Sequence, residues 1–239
     1  IGAVAMGKPT DLVVKPGQAV EVPTGGMLPE GADAAVMIEH TEKLGPETIE
    51  VGRSLAPGAH VIGVGEDVPR GGQCLEAGRR LGAAELAVLA TLGVREVTVV
   101  RRPVVALLST ADEVVPPDQT PGPAEVRDAN ATGLAAMVRQ AGGVPRILGI
   151  VRDVYGDLER QARHALEDAD VLIISGGSSV GERDHAAKVL GSLGEPGLLF
   201  HGVAIKPGKP TILAEVGGRA FWGLPGHVAS AMVVFHVLV

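Results

Sequence analysis

At 239 residues the chain is long enough for one large or two ordinary domains with a real core, and its 46% hydrophobic and 21% charged residues are those of a globular protein. Aromatic residues make up only 2%, so that core has to be built from Ala, Val, Leu and Ile. A net charge of −7 without a basic run or an aromatic stripe argues against a nucleic-acid partner, and no stretch approaches about 18 successive apolar residues, so no membrane partner is expected. The single cysteine, Cys74, excludes an internal disulfide and a thiolate metal cluster, which fits a reducing, cytoplasmic setting. No signal-peptide pattern is seen. The chain starts abruptly at Ile1 and stops inside the apolar run 232–239, so it is expected to be a fragment.

Residues 1–75 are read as a β-rich domain. Short apolar alternations at 12–14, 19–22, 34–38 and 48–51 are punctuated by Pro16-Gly17, Pro29-Glu30-Gly31, Pro57-Gly58 and Gly71-Gly72. Thr24, Asp33, Glu39, Glu66 and Asp67 stand beside the fixed loops as polar candidates, although each also suits a plain turn. Residues 76–101 form a connecting layer: apolar positions recur at helical spacing over 82–93, Gly93 offers a C-cap, and 96–100 read as a strand. Arg101-Arg102-Pro103 reads as a solvated linker.

From 102 to 239 strand and helix patterns alternate. Strands are predicted at 104–108, 144–151, 171–174 and 199–205, with a hairpin of 211–216 and 219–222 around Gly217-Gly218. Helices are predicted at 130–140, 156–166, 185–193 and 227–238. This alternation implies an α/β domain with a mostly parallel sheet and helices on both faces, its ligand sitting beyond the carboxyl ends of the strands.

Polar loops fall at those ends. Ser109-Thr110-Ala111-Asp112-Glu113, Asp153, Ser175 to Asp184, Lys206-Pro207-Gly208-Lys209-Pro210 and Gly223-Leu224-Pro225-Gly226 are expected to share one pocket. After the central strand, Gly176, Gly177 and Gly181 allow close backbone approach, and the hydroxyls of Ser175, Ser178 and Ser179 join helix-opening amides as donors to phosphate-like oxygens; a sharp strand-to-helix turn is the alternative. Lys206 and Lys209 are cations suited to an oxyanion. Glu113, Asp153 and Asp184 are hard oxygen ligands suited to Mg²⁺, whose shell phosphate oxygens can complete. Oxyanion and divalent metal together suggest phosphoryl or phosphoanhydride chemistry.

Seven ordered motifs then carry a family resemblance: residues 24–33, Gly65-Glu66-Asp67-Val68, residues 109–113, Arg127-Asp128-Ala129-Asn130, residues 175–184, residues 204–210 and residues 223–226. Their order and spacing resemble the molybdopterin molybdenumtransferases, the MoeA/gephyrin E-domain family. The resemblance implies a MogA-like three-layer α/β domain preceded by a β-rich domain and a short connecting layer. It also implies an activity: adenylylated molybdopterin is bound, its phosphoanhydride is cleaved with Mg²⁺, and molybdate is inserted. By motif position it implies catalytic roles for Glu113, Asp153, Asp184 and Lys206, with Glu113 and Asp184 holding the metal. Thr24, Asp67, Ser175, Gly176, Gly177, Ser178, Ser179, Lys209 and Pro225 would bind the ligand. A homodimer is implied in which Thr24 and Asp67 complete the partner's site, and the molybdopterin adenylyltransferase is an implied partner.

The chain departs from the family pattern at Ala111, where glycine is usual, and at Pro225-Gly226-His227-Val228, where the family has Pro-Gly-Asn-Pro. Gly202 stands where a basic residue is often found, and the family's N-terminal Asp-Gly-Tyr segment and C-terminal β domain lie outside these residues. Two other readings remain, a molybdopterin adenylyltransferase and a non-catalytic gephyrin-like scaffold.

Overall fold

The computed structural model describes residues 1–177 and 185–239. Ser178, Ser179, Gly181 and Asp184 therefore lie outside the described residues. The chain divides into two compact units, Ile1–Val97 and Thr98–Val239.

In the first unit, the paired backbone comes in short pieces. Isolated parallel bridges join Ala3 to Glu21 and Val13 to Glu30, and β1 (Thr41–Lys43) pairs antiparallel with β2 (Ile49–Val51). Proline and glycine interrupt the alternation every few residues, so no longer ladder forms. Residues 34–38 are not a strand; Ile38 instead opens a 3₁₀ turn, Ile38–His40. Helix α1 (Ala83–Thr91) forms as the spacing predicts, its first turn tied by Gly82 N–H donating to Glu85 Oε2 at 3.0 Å. Residues 96–100 form no strand, because apolar alternation without a partner strand leaves Val97, Val99 and Val100 exposed.

The second unit is a three-layer α/β domain. Its sheet has the order β6-β3-β7-β10-β9-β8. The strands are β3 (Val104–Thr110), β6 (Val144–Val151), β7 (Val171–Ser175), β8 (Pro196–His201), β9 (Ile212–Val216) and β10 (Arg219–Leu224). Strands β6, β3, β7 and β10 are paired in parallel, while β9 is antiparallel to both β10 and β8. The sheet is thus mostly parallel in direction, with β9 alone reversed. The β9–β10 hairpin turns on Gly217 and Gly218, whose φ values of 58° and 77° are those the tight two-residue turn requires. Strand β8 begins and ends earlier than predicted, and residues 203–205 leave the sheet.

Period-2 alternation places each strand's side chains on opposite faces. Ala106, Leu108, Leu172, Ile174, Ile212 and Phe221 pack with Leu158 and Ala162 of α3 (Tyr155–Ala165) and Val189 and Leu190 of α4 (His185–Ser192). On the other face Val105, Leu107, Ile173, Trp222 and Leu224 pack with Leu134 and Val138 of α2 (Ala129–Ala141) and Val234 and Phe235 of α5 (Val228–Leu238). The core is aliphatic, as the composition requires, with Phe221 its one fully buried ring among the described residues.

Arg101 is solvent-exposed, as expected, but it has a partner that the sequence does not announce. Its guanidinium forks onto both carboxylate oxygens of Asp170, just ahead of β7. That guanidinium, with the Val104 N–H, holds the Asp170 carboxyl down at about 2.

Candidate functional site

The parallel register brings the carboxyl ends of the central strands level. Ser109 of β3 and Leu224 of β10 both stand opposite Ser175 of β7, and Thr110 stands opposite Val151 of β6. The Ser109 and Ser175 hydroxyls, both buried, lie 3.3 Å apart. Beyond this edge opens a pocket of about 500 Å³.

Its described lining includes Glu113, Asp153, Ser175, Gly176, Gly177 and Pro225 among the residues expected there. It also includes Ser109, Thr110, Asp112, Asp128, Asn130, Pro210 and Gly226, which the motifs contain but to which no role was assigned. For Ser109, Thr110, Asp112, Pro210 and Gly226 the signal was available, since each sits within a polar loop predicted to close on the same edge; Asp128 and Asn130 fall instead within a family motif and at the opening of the helix predicted over 130–140.

Gly176 shows why the loop after β7 has its sequence. Its φ is +95°, its N–H donates to the Leu224 carbonyl at 3.1 Å, and a Cβ here would meet the Thr110 carbonyl oxygen at 2.1 Å. Only glycine fits where the chain turns between β3 and β10.

The opposite wall is held by two short strands absent from the sequence reading, β4 (Val114–Val115) and β5 (Val126–Arg127), paired in parallel. Val126 N–H donates to the Glu113 carbonyl at 2.8 Å, and Asp128 N–H to the Val115 carbonyl at 2.9 Å. Asp128 then caps α2, its Oδ1 accepting from the Ala131 N–H at 3.0 Å. In the first turn of α2, Asn130 Nδ2 donates to the Gly226 carbonyl at 2.7 Å, tying this wall to the loop after β10.

The lining carries Asp112, Glu113, Asp128 and Asp153, and no lysine or arginine among its described residues. Lys206 and Lys209 are not in the described wall. Both are exposed, and only Pro210 of their turn reaches the pocket. The reason lies in Gly208, which is buried where a Cβ would stand 2.6 Å from Val234 and 2.8 Å from Ile205; with the turn's middle packed inward, its flanking lysines are left in solvent. Thr24 and Asp67 are exposed turn and bend residues of the first unit. Ser178, Ser179 and Asp184 lie outside the described residues. Among the described residues, no group of three or more His, Cys, Asp and Glu is placed to hold a metal ion by itself. No described helix is long and apolar enough to cross a membrane.

Residues 106–239 match the model of the probable molybdopterin binding domain, and residues 2–93 that of the MoeA N-terminal region, domains I and II. The chain belongs to the MoeA family. Among the relatives of this MoeA-family chain, the molybdopterin molybdenumtransferase of Nostoc sp. is 36% identical over 98% of this chain and 54% of its own length. That of Bacillus subtilis is 34% identical over 100% of this chain and 56% of its own. A crystal structure of the molybdopterin biosynthesis MoeA protein from Pyrococcus horikoshii matches with a TM-score of 0.71 at 35% identity, covering 100% of this chain and 59% of that one. The chain thus spans about half the length of the curated MoeA-family relatives it matches.

Proposed function

We propose that the chain takes part in molybdenum cofactor synthesis by inserting molybdate into molybdopterin, with cleavage of an adenylylated molybdopterin. The observation that carries this is the composition of the pocket wall: a glycine backbone at Gly176-Gly177 beside the hydroxyls of Ser109 and Ser175, and carboxylates with no described cation. An anionic phosphoanhydride entering such a wall needs a positive counter-charge. Mg²⁺ fits this donor set, because it takes few protein carboxylates and completes its shell with phosphate oxygens. When bound, it would neutralise the phosphoanhydride oxygens and ease departure of AMP.

In this reading Glu113, and Asp184 outside the described residues, hold the ion, and Asp153 with Lys206 complete the catalytic set. Ser175, Gly176, Gly177, Ser178, Ser179, Lys209 and Pro225 orient the ligand, the Gly176-Gly177 backbone approaching it without side-chain obstruction. The lysines would act from the turn that contributes Pro210. We extend the reading to the division 1–75, 76–101 and 102–239, to a cytoplasmic setting, and to the molybdopterin adenylyltransferase as the supplier of substrate.

A homodimer with shared sites belongs to the same reading, Thr24 and Asp67 serving the partner's pocket. Its support is the first unit's surface. Val4 and Pro29 are the only side chains buried there, whereas Met27, Ile38, Leu44, Ile62 and Val64 are all exposed.

The test is release of AMP from adenylylated molybdopterin. Release that requires both molybdate and Mg²⁺, and that falls at least about a hundredfold in Glu113→Gln, is the expected result. ATP-dependent adenylylation of molybdopterin would instead make the chain an adenylyltransferase, and neither reaction would leave the scaffold reading.

A further inference from the structure

Among the described residues, Asn130 Oδ1 and Thr110 Oγ1 of the pocket are buried without a hydrogen-bond partner. Thr110 is 1% exposed at the end of β3, and Asn130 stands in the first turn of α2. The orientation of the Asn130 amide is fixed, because the Gly226 carbonyl that it meets at 2.7 Å can only accept, so the NH₂ group faces it and Oδ1 is left as an acceptor. A buried acceptor without a donor is costly, and such atoms in native proteins mark places where something else supplies the bond. A phosphate oxygen cannot supply it, being an acceptor itself. An N–H or O–H can.

We propose that Asn130 binds the uncharged, hydrogen-bond-donating part of the ligand, a ring amine or a sugar hydroxyl, while the Gly176-Gly177 side of the pocket, backed by Thr110, whose hydroxyl can donate, takes the anion. This rests on the reading of the pocket as a site for a nucleotide-linked pterin and adds to it a residue that selects by ring or sugar rather than by charge. Selection of this kind is strong, because an analogue lacking the donor leaves the buried acceptor unpaired.

Calorimetric titration in the presence of Mg²⁺ tests it, using AMP, purine riboside 5′-monophosphate, 2′,3′-dideoxy-AMP, 6-hydroxymethylpterin and pyrophosphate as probes. The expected result is that Asn130→Ala weakens AMP or the pterin by about threefold to tenfold and leaves pyrophosphate unchanged. Wild-type loss of affinity for the purine analogue assigns the donor to the adenine amine, loss for the dideoxy analogue assigns it to the sugar, and an effect of Asn130→Ala on the pterin alone assigns it to the pterin. If AMP and the pterin bind the variant as tightly as the wild type, or if pyrophosphate weakens in parallel, the proposal is overturned while the anion pocket stands. Should the wild type bind none of the probes, both readings fall. Should Asn130→Ala not fold, the wild type decides alone: if AMP and both of its analogues bind equally and 6-hydroxymethylpterin does not bind, the proposal is overturned.

Discussion

Val104 and Asp170 bond each other twice: the Val104 N–H donates to Asp170 Oδ2 at 2.7 Å, and the Asp170 N–H donates to the Val104 carbonyl at 2.8 Å. Since Arg101 grips the same carboxylate, the starts of β3 and β7 are pinned together at the end of the sheet opposite the pocket. Everything the pocket needs from register follows, because the level of Ser109 with Ser175 is set by the alignment of Val105 with Val171.

Asp170→Asn is therefore expected to lower stability by about 1 kcal/mol at neutral pH, most of the pair being partly exposed. The pH dependence follows from the depressed carboxyl. The contribution is present in full above the ordinary aspartate value of 3.8 and is lost as pH falls towards about 2. Urea unfolding midpoints of wild type and variant, measured from pH 6 to about pH 2, are expected to converge at the acid end.

Gly176→Ala and Gly226→Ala form a matched pair. The first forces a Cβ to 2.1 Å from the Thr110 carbonyl at a positive φ, and the second puts one 3.5 Å from the Gly176 Cα, an ordinary contact. Gly176→Ala is expected to cost more than about 1 kcal/mol and to abolish ligand binding, with Gly226→Ala close to wild type. Thermal unfolding and pyrophosphate titration read both.

Phe221 tests the core. It is fully buried between β10 and the α3–α4 layer, in a protein with few other rings to compensate, so Phe221→Ala is expected to cost about 3–5 kcal/mol. Denaturant unfolding followed by far-UV circular dichroism measures the loss.

Asp128→Ala removes the α2 cap, and about 1 kcal/mol of stability is expected to go with it. Because α2 opens at the pocket wall, affinity for AMP is expected to fall as well, whereas Asp128→Asn, which still offers a capping oxygen, restores both. Unfolding and titration on the same samples separate the two effects.

The α/β domain was largely legible from its sequence because β3, β6, β7 and β9 are short runs rich in Val, Ile and Leu, the Asp128 cap opens α2, and the Gly217-Gly218 turn closes the β9–β10 hairpin. What stayed hidden depends on distance along the chain. Strands β4 and β5 are two residues each, too short for any periodicity, and exist because Glu113 and Val126 meet. The ion pair of Arg101 stayed hidden because Asp170 lies far away in sequence. The same limit applied at the site. Glu113, Ser175 and Pro225 announced themselves through loop position, but the outward turn of Lys206 and Lys209 follows from the burial of Gly208, and the fixed amide of Asn130 follows from a carbonyl on another loop.

The β4–β5 pair has one more implication. Residues 116–125 leave and rejoin the body at the β4–β5 clasp, and Arg127 Nε donates to the Gln119 carbonyl at 3.0 Å, so the excursion is anchored at its root and in its first half while its tip at 122–124 is exposed. Loop-closure entropy grows only slowly with added residues. A peptide tag or small reporter domain grafted into this arm should therefore be carried without disturbing the wall beneath it, which makes the arm a natural handle for labelling and for evolutionary insertion alike.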